Sequence, residues 1–235
     1  MRSILNILFL LLIIISEKSQ AQRWMPGHFT DMKDSEGTGL IRIDPSRRGP
    51  VKNEGFIEFK ADKKAAPFKV SASQLRSFVI GKDSFVVAHA PKSETWPEKE
   101  LDFVEVVLDE DVKLYAGFGG SGGGSGFSVG IGLGGGFGIP LGRNFGAGVG
   151  GGVDVPIIGG RSSGSIAWYY GENTARMFRL TDENFEDIMS NIMGDYPEVV
   201  EKIHRHDYFL GNVGRLVSYY KQVEQADKQK QNGSK

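Results

Sequence analysis

Apolar and polar positions along this chain follow three successive rhythms, and each change of rhythm marks a change of element. Between residues 39 and 115 the apolar residues come in short runs rich in β-branched and aromatic side chains, at 40–43, 55–59, 68–70, 78–80, 85–88, 103–108 and 112–115. Turn-forming clusters such as Asp44-Pro45-Ser46, Ala61-Asp62-Lys63-Lys64 and Gly81-Lys82-Asp83 separate them. Short strands at spacings of about ten residues predict an antiparallel sandwich, roll or small barrel. Ser73-Gln74-Leu75 predicts one helical turn before the strand at Phe78, and Asp109-Glu110-Asp111 predicts a hairpin turn. Residues 165–170 (SIAWYY) and 176–180 read as two more strands joined by Gly171-Glu172-Asn173-Thr174. Residues 22–36 show no clear period and read as an irregular lead-in, and 92–99 (KSETWPEK) read as an exposed loop.

The second rhythm belongs to residues 117–160, where 21 of 44 positions are glycine against 33 in the whole chain. Apolar residues fall there on alternate positions: Phe127, Val129, Ile131 and Leu133, then Phe137, Ile139 and Leu141, with restarts at Phe145, Ala147 and Val149 and at Val153, Val155 and Ile157. Period two is that of a strand, and glycine on the opposite face lets another backbone approach closely. Because strands flank the block on both sides, it is expected to be a glycine-rich β-hairpin insertion in the sheet domain. Its apolar ribbon, Phe127, Val129, Ile131, Leu133, Phe137, Ile139, Phe145 and Val149, is the candidate contact surface. Such a ribbon left in water promotes aggregation, so it must cover its own sheet, a second copy or partner, or lipid.

From Thr181 the period becomes helical. Phe185, Ile188, Met189, Ile192 and Met193 form one stripe, with Thr181 placed to cap, Asp182 and Glu183 in the favourable first turn, and Gly194 as the stop. Pro197 is placed to open a second helix burying Val199, Val200 and Ile203. A third is expected over 211–225, burying Val213, Leu216, Val217, Tyr220 and Val223, with 226–235 a disordered tail. The expected class is therefore α+β, with a β-rich domain over 22–180 and a three-helix segment over 181–225.

Export changes the picture more than composition does. Met1-Arg2-Ser3, an apolar run from Ile4 to Ile15 and the ending Ser19-Gln20-Ala21 are the parts of a secretory signal peptide, with cleavage expected after Ala21. Loss of residues 1–21 removes Arg2, Lys18 and Glu17, leaving 26 Lys+Arg against 28 Asp+Glu, a net charge of −2. A balance this near neutral gives no case for nucleic acid as a partner. With no cysteine, disulfides and thiolate zinc sites are excluded, and packing must hold the fold.

Candidate chemistry is sparse. Gly119-Gly120-Ser121-Gly122-Gly123 matches a serine-hydrolase elbow, and Gly130, Gly132 and Gly135 match a dinucleotide fingerprint, but no helix is predicted to follow either and the glycine content alone accounts for both. His204-Arg205-His206-Asp207 is the one histidine cluster, and its two imidazoles could share a metal only where the helix has ended. His28 and His89 stand alone, and Trp168, Tyr169, Tyr170, Tyr219 and Tyr220 are divided by geometry between core and surface. No catalytic residue, cofactor site or metal site is assigned.

The leader ending in Ala21-Gln22, the run from Ser71 to Phe78, Trp168-Tyr169-Tyr170, Asn184-Phe185, the run from Tyr196 to Ile203 and Tyr219-Tyr220 together resemble a family of uncharacterised exported proteins of Bacteroidetes-type bacteria. The resemblance covers most of the chain outside the glycine block, and implies a β-rich N-terminal part, a small helical C-terminal part and an extracytoplasmic location. The expected function is that of a non-enzymatic periplasmic or envelope-associated binding or structural protein. It would touch an envelope protein, a second copy or the membrane through 117–160. The alternative is an extracytoplasmic hydrolase built on His89 or on His204 and His206.

Overall fold

The computed structural model describes residues 24–43, 48–92, 94–96, 99–117 and 166–233. The leader, the ribbon from Phe127 to Val149 and the two glycine motifs lie outside these residues. Among the described residues ten strands are formed: β1 (Met25–Asp31), β2 (Glu36–Arg42), β3 (Phe56–Lys60), β4 (Phe68–Ser71), β5 (Leu75–Ile80), β6 (Asp83–His89), β7 (Leu101–Leu108), β8 (Lys113–Gly117), β9 (Ala167–Gly171) and β10 (Phe178–Arg179). Helices α1 (Phe185–Ile192), α2 (Pro197–His204) and α3 (Val213–Gly233) follow. The strands make one antiparallel sheet in the order β10-β9-β8-β7-β6-β5-β1-β2-β3-β4. The class is α+β, as the change of rhythm at Thr181 predicts.

One connection forces the sheet to curl. β4 ends the strand order, yet only the tight turn Ala72–Gln74 separates it from β5, four places away. In a flat sheet that gap would be about 19 Å, more than a three-residue turn of about 2 Å per residue can cross. The sheet therefore rolls until the start of β3 meets the start of β7. Gly55 N–H donates to the Leu101 carbonyl (2.8 Å), Ala72 N–H to the Gly55 carbonyl (2.8 Å), and Glu54 bridges Leu101 in parallel. Inside the roll lie Ile41, Ile57, Leu75, Phe78, Phe85 and Phe103, with Phe78 stacked on Phe85 at 4.8 Å and edge-on to Phe103 at 4.9 Å.

The far half of the sheet is covered on both faces. Leu114 and Ala116 on β8 and Val107 on β7 pack under the helices, against Leu180, Met189, Val199, Ile203, Leu216 and Tyr220. Alternation turns Tyr115, Val104 and Tyr169 to the other face, where Trp96 closes over them. Helices α1 and α2 have eight residues each and no side-chain cap, too few to persist alone. Burial of Phe185, Met189, Val199 and Ile203, about 1.5–3 kcal/mol each, holds them.

Four local expectations are corrected. Residues 22–36 contain β1, which lies inside the sheet between β5 and β2. Pro26 and Gly27 hide its alternation: Pro26 precedes the β5 ladder and needs no N–H there, and a Cβ at Gly27 would be driven into the Val79 carbonyl. The loop at 92–99 carries a buried anchor, Trp96. The residue at the N-cap of α1 is Asn184; its side chain accepts from Thr181 N–H (2.8 Å) and donates to the Arg179 carbonyl (3.0 Å), so Thr181 lies outside the helix. Helix α3 continues past Gln225 to Gly233, supported by Lys228 donating to Glu224 (2.5 Å) and Gln231 to Asp227 (2.8 Å), each at i,i+4.

Candidate functional site

The short turn from Met193 to Tyr196 folds α2 back on α1, and each helix commits one stripe to the core. What remains of α2 is a second stripe, Pro197, Val200, Glu201 and His204, at the spacing that keeps four side chains on one helical face. With Ser190, Gly194 and Arg205 these residues line an open groove of about 470 Å³.

Two contacts cross the groove end. Ser190 Oγ lies 3.3 Å from His204 Nε2, and His206 Nδ1 lies 3.7 Å from Glu186 Oε2. Helix α2 ends between the two histidines. Arg205 closes the helix, His206 takes φ = 59°, and the N–H groups of His206 and Asp207 donate to the carbonyls of Ile203 (2.8 Å) and Lys202 (3.0 Å). That is a Schellman ending with histidine in the left-handed position where glycine is usual. Both imidazoles thus reach α1, from successive positions of an ended helix. Sequence alone does not single out Ser190 and Glu186, although their i,i+4 spacing beside the apolar stripe of α1 was the available signal.

Chemically the groove offers a hydroxyl, an imidazole, a carboxylate and a guanidinium, a set that suits a small polar ligand. Transfer chemistry demands more. A serine needs a base at about 2.6–3.2 Å and a third group to orient that base. The Ser190–His204 distance of 3.3 Å is looser, and no hydrogen bond to His204 Nδ1 is made among the described residues. His89, at the end of β6, has Nδ1 3.1 Å from the Glu100 carbonyl, and His28 is exposed on β1; neither joins the groove. Among the described residues no three His, Cys, Asp or Glu side chains come together as a metal-ligand set.

Two buried polar clusters lie elsewhere. Under the loop at 92–99, Trp96 Nε1 donates to Tyr169 Oη (3.0 Å), Tyr169 donates to Glu94 (3.1 Å), and Arg179 donates to the other Glu94 oxygen (3.0 Å). Burial pushes the Tyr169 hydroxyl up to about 12, so it stays protonated and bridges the loop to β9. On the helix-bearing face, Glu105 of β7 is 4% exposed, and Asp83 of β6 lies diagonal to it, because Phe85 is the register partner of Glu105. Burial first, then the Asp83 charge, pushes the Glu105 carboxyl up to about 8 against the opposing pull of Lys221 on α3. Burial raises Asp83 as well, with Lys221 and Lys82 pulling the other way.

The expected contact ribbon enters this picture through its attachment points only. β8 ends at Gly117 and β9 begins at Ala167, and the two are register partners, so the connection between them starts and finishes on neighbouring strands. Among the described residues no helix is long and apolar enough to cross a membrane. No protein-family model, no curated protein and no solved structure matches this chain.

Proposed function

We propose that this chain is an exported, non-enzymatic binding or structural protein of the periplasm or cell envelope, whose sheet-and-helix body presents the glycine-rich segment 117–160 to a partner or membrane. The observation that carries the proposal is the attachment of that segment. Gly117, where the segment begins, is the register partner of Ala167, so the segment connects two antiparallel strands that are neighbours in the sheet. A connection between neighbouring antiparallel strands can lengthen without altering their pairing, which supports reading the segment as an added surface. Its alternating Phe127, Val129, Ile131 and Leu133 supply apolar area that needs a cover. The leader and the resemblance to exported proteins support a location outside the cytoplasm.

The test is flotation of the full chain and of a variant lacking 121–160 with envelope membranes, in about 0.5 M salt so that simple charge attraction is screened. The full chain is expected to float and the shortened chain to remain in the load fraction. Equal flotation of both would overturn the proposal.

The Ser190–His204 contact favours a second reading, hydrolysis in the groove between α1 and α2. It requires ester hydrolysis by the full chain that Ser190→Ala abolishes. The loose, unoriented dyad makes binding the stronger of the two.

A further inference from the structure

The positive charge of this protein is concentrated. Residues 42–69 hold eight Lys+Arg and four Asp+Glu, net +4, so the remainder of a chain whose total is −1 carries −5. The hairpin of β3 and β4, at one end of the strand order, carries Lys60, Lys63, Lys64 and Lys69 against Glu58 and Asp62, a net +2. On its outer face Arg42, Glu58 and Lys69 are register neighbours across three strands. Glu58 is 4% exposed and ion-paired to Arg42, so the buried carboxylate is already matched by one cation. Trp24 sits between Arg42 (4.6 Å) and Lys60 (4.5 Å), and Lys69 lies 4.8 Å over the Phe56 ring. These aromatic contacts hold the cations in place.

The connecting turn adds the second component. Its one acid, Asp62, is engaged by its own backbone, accepting from Lys64 N–H (2.7 Å) and Ala65 N–H (2.9 Å). Lys63 and Lys64 stand exposed, and no ion pair to Lys60, Lys63, Lys64 or Lys69 is formed among the described residues. Beside them Ala66 and Pro67 are exposed and lead into Phe68, which is 53% exposed. Phe68 is the register partner of Phe59 and meets its ring edge-on at 5.3 Å, so it stands on the core-side face of β4, opposite Lys60 and Lys69, with Lys63 and Lys64 in the adjoining turn. An exposed ring beside two turn lysines suits the boundary between headgroup and acyl chain, where the ring can enter and the ammonium groups stay with phosphate. A nucleic-acid site would instead track charge along a groove with stacking platforms in sequence, and the hairpin supplies one exposed ring.

We propose that the β3–β4 hairpin is a docking surface for membranes carrying anionic headgroups, with Phe68 entering the interface and the exposed turn lysines Lys63 and Lys64 contacting phosphate. This surface is separate from 117–160 and does not rest on the role given to that segment.

The test is co-sedimentation of the full chain with vesicles of phosphatidylcholine containing about 30% phosphatidylglycerol, and with phosphatidylcholine alone, in about 0.05 M salt. Each lysine near such a surface adds about fivefold to partitioning. Lys63→Gln with Lys64→Gln should therefore lower binding to the anionic vesicles about 25-fold, leaving any binding to neutral vesicles and the thermal midpoint unchanged. Phe68→Ala, a substitution at an exposed position, should lower it several-fold. Wild-type protein that ignores anionic vesicles, or variants that bind them as wild type does, would overturn the proposal. So would single-stranded DNA binding more tightly than the vesicles through the same lysines, which would mark the surface as a polyanion site.

Discussion

Glu105 places a carboxyl group where a sheet and a helix would normally meet through hydrocarbon. The charges that act on it come from Asp83 on β6, which disfavours ionisation, and Lys221 on α3, which favours it; burial outweighs both. The group is raised in the folded chain from its ordinary 4.5 to about 8, so the fold holds a proton that the unfolded chain releases. Its contribution to stability is complete below about pH 4.5 and is lost progressively as pH rises to about 8. Glu105→Gln keeps the shape and removes the ionisation. Urea midpoints between about pH 5 and 8 should therefore fall less with pH in the variant, which should exceed wild type by about 1–3 kcal/mol at the upper end. Parallel pH profiles would show that Glu105 is ionised in the fold. Composition could not reveal this carboxyl, because a glutamate within the apolar run 103–108 reads as an exposed strand position. Its burial comes from tertiary packing, with Phe85 as its register partner and Lys221 of α3 approaching the same face.

At the scale of elements, legibility followed pattern strength. The strands rich in Phe, Val and Ile and the stripes of α1 and α2 were readable, because their periods are set by which side chains must leave water. β1 was not, because Pro26 and Gly27 serve the backbone approach of β2 and β5 and blur its alternation. The last two turns of α3 were not either, since side-chain pairs along the exposed helix replace an apolar stripe there. The end of α2 is the most unusual local feature. A non-glycine residue in the left-handed region costs about 1 kcal/mol, and His206 returns little through a contact to Glu186 that is largely exposed. His206→Gly should raise stability by about 0.5–1 kcal/mol in chemical denaturation. A loss of more than about 1 kcal/mol would instead make the contact between His206 and Glu186 a true clasp of α1 and α2. Of the candidate groove, the sequence offered the two histidines and the chance that they follow a helix end. Ser190 and Glu186 became visible only once α1 and α2 were side by side.

At the scale of the molecule, one sheet serves three clusters of buried side chains among the described residues. Its β1–β7 portion rolls around Phe78, Phe85 and Phe103, and its β7–β10 portion carries the helices on one face and Trp96 on the other. Strand β7 belongs to all three, through Phe103 in the roll, Val107 under the helices and Val104 beside Trp96, so they should unfold together. Residues 118–166 connect β8 to β9, which are neighbours in the sheet; on the proposed reading they form an added loop. Removing 121–160 shortens that loop roughly sixfold, which by loop-closure entropy alone should stabilise the body by about 1.5 kcal/mol. Thermal unfolding of the shortened chain, followed by near- and far-ultraviolet circular dichroism, tests this division most directly. A single cooperative transition at or slightly above the wild-type midpoint is expected. Loss of the near-ultraviolet signal, or a midpoint many degrees lower, would show that the glycine-rich segment is part of the core, and the body would then not be a finished platform for it.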